Sequence, residues 1–444
     1  MGTSRCFRLA FLLGSVLMVL LIILYWDDMG ALNLYPHDPH DLYPHDLYPH
    51  DPHPHPTSPS SPTPTKPPPR DTEEQATHKP PRTTEPDWPG EGTRATPKPP
   101  GEEHPLPQVT DSSELEGRWR GEEGKREEES VRQAEEEKRE EEGRRQEERR
   151  RRISHMCSGN GTLEFPGKFR TFDQIPNREL NHLIVDDRHE IIYCYVPKVA
   201  CTNWKRVMVV LSEGLLAPDG QPYRDPQALP PDLIHNSSLH LTFSKFWRRY
   251  GRLSRHLMRV KLQSYTKFLF VRDPFVRLIS AFRNKFQQPN EDFYRQFGSV
   301  MLRRYGNESG TSRVPESAAE AFEAGIQPSF SEFVRYLLDP QTEQEQPFNE
   351  HWRQVYRLCH PCQIHYDFIG TLENLEDDSD QLLRILGLED QIKFPPSNRN
   401  RTAASWERDW FAEVPAELRR KLYSLYEPDF ELFGYPKPES LLHP

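Results

Sequence analysis

Apolar positions fall into three regimes along the chain. The first is one uncharged run, Ala10–Trp26 (AFLLGSVLMVLLIILYW). As a helix it spans roughly 25 Å, enough for a thin bilayer. Arg5 and Arg8 precede it and Asp27 and Asp28 follow, which keeps the basic side cytoplasmic. A cleaved signal peptide is the alternative, but the run exceeds the usual ~7–15-residue core and no small-x-small site follows directly. The pattern predicts a cytoplasmic tail over 1–9, a transmembrane signal-anchor over 10–26, and a lumenal remainder. The second regime, residues 27–156, holds hardly an apolar cluster. From Cys157 onward, short apolar runs alternate with amphipathic stretches, which predicts an α/β domain over 157–444. IIYCYV (191–196) and KFLFV (267–271) predict buried strands, and Trp204–Leu211 and Asp273–Phe286 predict the helices that follow them.

Charge separates the last two regimes further. The 444-residue chain has a net charge of −11, but residues 1–156 carry 21 Lys+Arg against 30 Asp+Glu and the remainder 36 against 38. A near-neutral domain therefore follows an acidic leader, which excludes a multidomain cytosolic enzyme; six Cys exclude a disulfide-dense scaffold. LYPHD recurs at 34–38, 42–46 and 47–51 before PHPHP. Clustered His can bind metal, yet a proline every few residues prevents a fixed cage, and the segment reads as a slipped linker repeat. Residues 57–112, rich in Pro, Ser and Thr, read as an extended spacer. Residues 113–152 alternate Glu with Arg and Lys at i,i+4 and lack an apolar seam, so they predict a solvated single helix rather than a coiled coil. Residues 27–156 as a whole read as a largely disordered lumenal stem.

Two strand–loop–helix units carry the chemistry. Between the first strand and helix lies Pro197-Lys198-Val199-Ala200-Cys201-Thr202-Asn203. A turn of small residues into a helix N-terminus presents backbone N–H groups and the positive end of the dipole, a ready phosphate or sulfate site. Lys198 adds a full charge, and Thr202 and Asn203 can cap the helix or donate to an anion. The loop is not G-x-x-x-x-G-K-[ST], and alone it could be an ordinary turn. In the second unit, Arg272 stands at the C-terminal edge of its strand, where ligands of open α/β sheets collect. Ser280 lies two turns into the helix and could face the same anion, as could Arg277 if it is not solvated. Twelve Lys/Arg and one acid, Asp273, fall between Lys245 and Lys285. Such a strip implies an anionic ligand; in a lumenal protein this means glycosaminoglycan or activated sulfate rather than nucleic acid.

VPKVACTNWKR (196–206) and FVRDPFVRLISAFRNKF (270–286) resemble the 5′-phosphosulfate loop and 3′-phosphate motif of the Golgi carbohydrate sulfotransferases of the HNK-1 sulfotransferase group. LIVDDRH (183–189), LTFSKFWRRYGRLSRHLM (241–258), FNEHWRQVYRLCHPCQI (348–364) and YEPDFELFGYPKPE (426–439) extend the likeness over nearly all of 157–444. The stem does not share it. The resemblance implies a P-loop-like sulfotransferase domain with a central parallel sheet. It also implies transfer of sulfate from 3′-phosphoadenylyl sulfate to the 4-hydroxyl of N-acetylgalactosamine in chondroitin and, to a lesser extent, desulfated dermatan. Proteoglycan chains and the Golgi membrane are the implied partners, with no nucleic acid and no metal. The donor sites carry over as Pro197–Asn203 and as Arg272, Asp273, Pro274, Phe275, Val276, Arg277, Leu278, Ile279 and Ser280. Lys198 is the expected group on the leaving phosphate oxygen.

A sugar hydroxyl needs a base, and a pKa near neutrality points to His. His240 lies between the two motifs, His235 stands close by, and His351 in NEHW is the rival. Arg248, Arg249, Arg252 and Arg255 either meet acceptor anions or form a solvated helix face. Of the lumenal cysteines Cys157, Cys194, Cys201, Cys359 and Cys362, an odd number leaves at least one unpaired. Cys359 and Cys362, spaced C-x-x-C, are expected to close a local loop, and Cys201 to stay reduced. Asn160, Asn236, Asn307 and Asn400 are N-x-[ST] glycosylation candidates. Two rival classes remain: a lumenal glycosaminoglycan-binding protein, and a kinase-like transferase, which would want a Gly-rich loop and a Mg²⁺-binding carboxylate.

Overall fold

In the computed structural model, which describes residues 112–159, 163–306, 314–396 and 406–443, the Glu/Arg run folds as one helix, α1 (Ser112–Cys157). Side chains are described from 126 in this helix and from 409 in the segment that begins at 406. The span at 10–26, the His/Pro repeat, the Pro/Ser/Thr spacer, Asn160, Asn307 and Asn400 lie outside the described residues. Among those described, no helix is long and apolar enough to cross a membrane.

The described residues fall into two compact units, one up to 144 and one from 145 onward. In the first, the helix exposes nearly every side chain from 126 to 140, as its polar composition dictates. The second contains a four-stranded sheet in the order β1 (Leu183–Asp186), β2 (Ile191–Cys194), β3 (Thr266–Val271), β4 (Phe368–Thr371). The sheet is mixed, which corrects the expectation of a parallel one: β2, β3 and β4 run parallel but β1 pairs antiparallel with β2. Only four residues link β1 to β2, and a parallel crossover needs a dozen or more. β2 and β3 are buried on both faces, which explains their unbroken apolar sequence. Gly370 of β4 is required by packing, since a Cβ there would lie 2.2 Å from the Phe270 ring.

Helices follow the strands: α2 (Cys201–Ser212) after β2, α3 (Phe243–Tyr250) and α4 (Ser254–Ser264) before β3, and α5 (Pro274–Phe286) after it. Further on come α6 (Phe330–Leu338), the short α7 (Val355–Cys359), α8 (Leu375–Ile385) after β4, and α9 (Ala416–Phe433). One apolar cluster surrounds the sheet; a second, built on Phe282, Phe333, Trp352 and Phe430, joins α5, α6 and α9.

The last turns of α1, within the sheet unit, belong to its packing. Ile153 and Met156 enter the sheet's apolar cluster. Gln146 presents its side-chain amide to β4 as a strand would, donating Nε2 to Ile369 O at 3.2 Å and accepting from Ile369 N at 3.0 Å. An edge strand otherwise left with open backbone groups is thereby covered. Arg149 donates to Ile369 O at 2.6 Å and pairs with the fully buried Asp378 at 3.0 Å; that carboxylate also accepts from Thr371 N at 2.7 Å.

The cysteines correct a second expectation. Cys359 and Cys362 do not close a local loop: Cys194 pairs with Cys359 and Cys157 with Cys362. The intervening His360 ends α7 in the left-handed region (φ 49°), and Cys359 and Cys362 then reach the end of β2 and the end of α1 respectively. Cys201 remains a thiol, as expected.

Removing Arg149 strands a buried carboxylate, so Arg149→Ala is expected to cost roughly 3 kcal/mol. Arg150→Ala, which breaks only an exposed pair with Glu147, should stay within about 0.5 kcal/mol of the wild type. Urea unfolding of both variants checks this.

Candidate active site

The loop from β2 to α2 turns without any glycine. Lys198 (φ 71°) and Ala200 (φ 50°) both take the left-handed conformation, on either side of the fully buried Val199. Each such residue costs of order 1–3 kcal/mol and persists only where its surroundings hold it. Left-handed residues next to a helix N-terminus turn successive N–H groups toward one side, the geometry of an anion nest.

Arg277 supplies the support. Its side chain is 1% exposed, and its guanidinium donates to Pro197 O (Nε, 3.1 Å), Arg353 O (Nη1, 2.7 Å) and Glu350 O (Nη2, 2.9 Å). Burial lowers its pKa, while Asp429 foremost opposes the shift. Arg277 is thus neither solvated nor a ligand facing the cleft; it braces the β2–α2 loop from within the core. Arg272 Nη1 approaches Lys198 O at 3.4 Å.

A cleft of about 1640 Å³ lies between this loop, α5, the β4–α8 turn and the segment 392–396. Lys198, Arg272 and Ser280, chosen from the sequence as donor contacts, all line it, as do Asp273 and Val276. Asp273, Val276 and Ser280 share a face of α5 by helical spacing. The rest of the expected 272–280 motif serves structure. Asp273 Oδ1 caps α5 by accepting from Phe275 N and Val276 N at 2.8 and 3.0 Å, Pro274 occupies the first helical position, and Phe275, Leu278 and Ile279 are core.

Thr202 and Asn203 do not cap α2, whose N-cap is Ala200. Thr202 Oγ1 lies 3.3 Å from His235 Nε2, and Asn203 donates to Pro395 O at 3.2 Å, tying the β2–α2 loop to the far wall. Asn236 is exposed, and its side chain accepts from Ser238 N, turning the chain there. Sequence reasoning missed that far wall: Arg384, Lys393, Phe394 and Pro395 also line the cleft, as does Glu373, which accepts from Tyr435 Oη at 2.9 Å. No local motif marks these residues, because they reach the site only through tertiary packing.

The histidines separate by place. His240 is buried with Nε2 bound to Ile234 O at 2.7 Å, and burial holds its pKa at about 3. Burial also lowers His235 to about 4 and His351 well below the usual range, and both feel Lys198, Lys285 and Glu350. His351 Nδ1 lies 2.7 Å from Asn349 Oδ1. His182, absent from the sequence candidates, packs tilted against Tyr195 at 4.4 Å and is held at about 4 by burial. Of the four arginines expected at the acceptor, Arg255 is structural. It donates to Phe172 O and to Asn177 Oδ1 at 3.0 and 2.6 Å. Arg248, Arg249 and Arg252 are exposed, beside Trp247. Among the described residues no cluster of three or more His, Cys, Asp or Glu could hold a metal ion.

The chain is an α/β protein in which Lys198 of the Arg277-braced β2–α2 loop and Arg272 and Ser280 of the next strand–helix unit line one cleft. Residues 181–436 match the family described as "Sulfotransferase family", and the chain belongs to it. The protein is a sulfotransferase enzyme. It is 53% identical to carbohydrate sulfotransferase 12 of Mus musculus and 51% identical to that of Xenopus laevis, each over the whole of both chains. It is 41% identical to carbohydrate sulfotransferase 11 of Rattus norvegicus, over 65% of this chain and 76% of the relative. No solved structure matches.

The buried imidazoles set an acid limit on stability. As pH falls below about 6.5 the unfolded chain takes up protons that folded His182, His235, His240 and His360 refuse until about 4 or 3. The unfolded state then binds more protons, and stability falls. Asp429, pushed up to about 6 by burial, acts in the opposite sense, but it is one group against four. The urea midpoint should drop between pH 7 and pH 4.5, with net proton uptake on unfolding.

Proposed function

We propose that this enzyme transfers the sulfuryl group of 3′-phosphoadenylyl sulfate to the 4-hydroxyl of N-acetylgalactosamine in chondroitin, and less readily in desulfated dermatan. The observation that carries the donor half is the meeting of Lys198, Arg272 and Ser280 on one cleft. The names of the relatives carry the carbohydrate half. The cleft exceeds the usual ~300–1,000 Å³ ligand pocket, which leaves room for a nucleotide donor. Its wall carries Leu375, Leu383, Ile392 and Phe394, surface suited to a purine, beside the cations suited to phosphates.

Sulfuryl transfer is expected to be loose and in line, so positioning and charge dominate. Loop amides and Lys198 stabilise charge on the departing 5′-phosphate oxygen, while Arg272 and Ser280 hold the 3′-phosphate. The exposed Arg248, Arg249 and Arg252 offer cations to the carboxylates or sulfates of a polymeric acceptor. Residues 10–26 anchor the chain in the Golgi membrane with the enzyme in the lumen; two long-range disulfides favour such an oxidising compartment. Asn160, Asn236, Asn307 and Asn400 are its proposed glycosylation sites. Sulfation of terminal N-acetylgalactosamine on other glycans is the second acceptor reading.

Incubating the protein with labelled 3′-phosphoadenylyl sulfate and desulfated chondroitin, followed by disaccharide analysis, tests the proposal. Label is expected at the 4-position of N-acetylgalactosamine, reduced at least ~100-fold in Lys198→Ala and Arg272→Ala. Donor binding without label on chondroitin would leave the donor site standing and reject the acceptor.

A further inference from the structure

We infer that Glu350 is the general base that takes the proton of the acceptor hydroxyl, with Tyr195 and His182 positioning it beside the donor loop. The inference rests on the sulfotransferase reading of the cleft at Lys198.

One guanidinium holds the backbone of Glu350 beside the start of the β2–α2 loop. Arg277 donates to Pro197 O and to Glu350 O together, so the residue before Lys198 and the residue bearing the carboxylate are locked side by side. From the same loop, Tyr195 Oη donates to Glu350 Oε2 at 3.2 Å. Lys205 Nζ lies 3.8 Å over the Tyr195 ring, and the His182 ring packs tilted against it with Nε2 3.6 Å from Glu350 Oε2. The carboxylate therefore has a defined position, yet its side chain is 24% exposed, whereas His182, His240 and His351 are buried. Lys198 and Glu350 both act electrostatically on His235 and on His351.

The charge there also calls for a chemical role. A carboxylate next to the phosphosulfate of a bound donor weakens donor binding by repulsion. That disadvantage is reversed in the transition state if the carboxylate is the group that becomes neutral. As the hydroxyl oxygen bonds to sulfur, the bond from sulfur to the 5′-phosphate oxygen breaks and its electron pair stays on the phosphate. The hydroxyl proton moves to Glu350, which later returns it to water. Atoms and charge balance with no further reactant. The histidines are poorer candidates: His240 Nε2 is bound to a carbonyl and His351 Nδ1 lies against Asn349. Burial leaves both less basic than a free imidazole.

The test compares the full chain with Glu350→Gln and Glu350→Asp in turnover, pH–rate profile, thermal melting and calorimetric binding of adenosine 3′,5′-bisphosphate. Glu350→Gln is expected to lose about 10²–10⁴ in kcat, to lose the acidic limb of the pH profile, and to melt and bind the bisphosphate like the wild type or tighter. Glu350→Asp should recover part of kcat together with the acidic limb. A Glu350→Gln enzyme within tenfold of wild-type kcat, or one that keeps the acidic limb, overturns the assignment. A kcat loss matched by lost bisphosphate binding overturns it too, by making Glu350 structural. Wild-type protein that fails to bind the bisphosphate would instead overturn the donor-site reading, and this inference with it.

Discussion

The buried guanidinium of Arg277 is the interaction on which the rest of the site depends. Taking a cation out of water costs several kcal/mol unless its donors are all met and an opposite charge lies near. Here three backbone carbonyls from two separate loops accept one hydrogen bond from each guanidinium nitrogen, and Asp429 supplies the charge. Asp429 is itself held by Val355 N and Tyr356 N, so the same carboxylate caps α7. Cys359 at the end of α7 is bonded to Cys194 at the end of β2, where the β2–α2 loop begins. The constraint thus closes on itself, from loop to arginine to aspartate to helix to disulfide and back to the loop.

That closed circuit explains how a glycine-free turn can hold two left-handed residues. Lys198 and Ala200 have no intrinsic reason to adopt their conformations, and an isolated peptide of this sequence would relax. With Pro197 O held by Arg277 and Val199 sunk in the core, the relaxed alternatives would strip a buried cation of an acceptor and open a cavity. The loop is therefore held in one conformation by its surroundings rather than by its own sequence. At the other end of the sheet, Gln146 and Arg149 do a similar service, fixing β4 and the turn into α8 whose residues form the opposite wall.

Much of this could be read from the chain. The apolar runs at 191–196 and 267–271 are strands because only a doubly buried strand tolerates such continuity, and Asp273-Pro274 announces a helix start through cap and fixed φ alone. Lys198, Arg272 and Ser280 could be singled out because local geometry, strand end to helix start, already points them at one place. Arg277 could not be assigned. Helical spacing puts it near the same anion, and only the docking of α9 and the 348–354 loop turns that position into core. The cysteines failed for a related reason: C-x-x-C spacing permits a local bridge, but the left-handed His360 and the nearness of β2 and α1 make two distant bridges instead.

The sequence by itself determined the elements, the order of the two strand–loop–helix units and the helical habit of the Glu/Arg run, because these follow from periodicity, capping and charge within a few residues. The tertiary structure alone decided which basic residues face the cleft and which brace it, and that β1 runs antiparallel. It also decided that the last turns of a seemingly solvated helix cover a strand edge, and which titratable groups gather beside Lys198. Those outcomes depend on burial and on contacts between residues far apart in the chain, 229 positions for Arg149 and Asp378, and no local pattern encodes that distance.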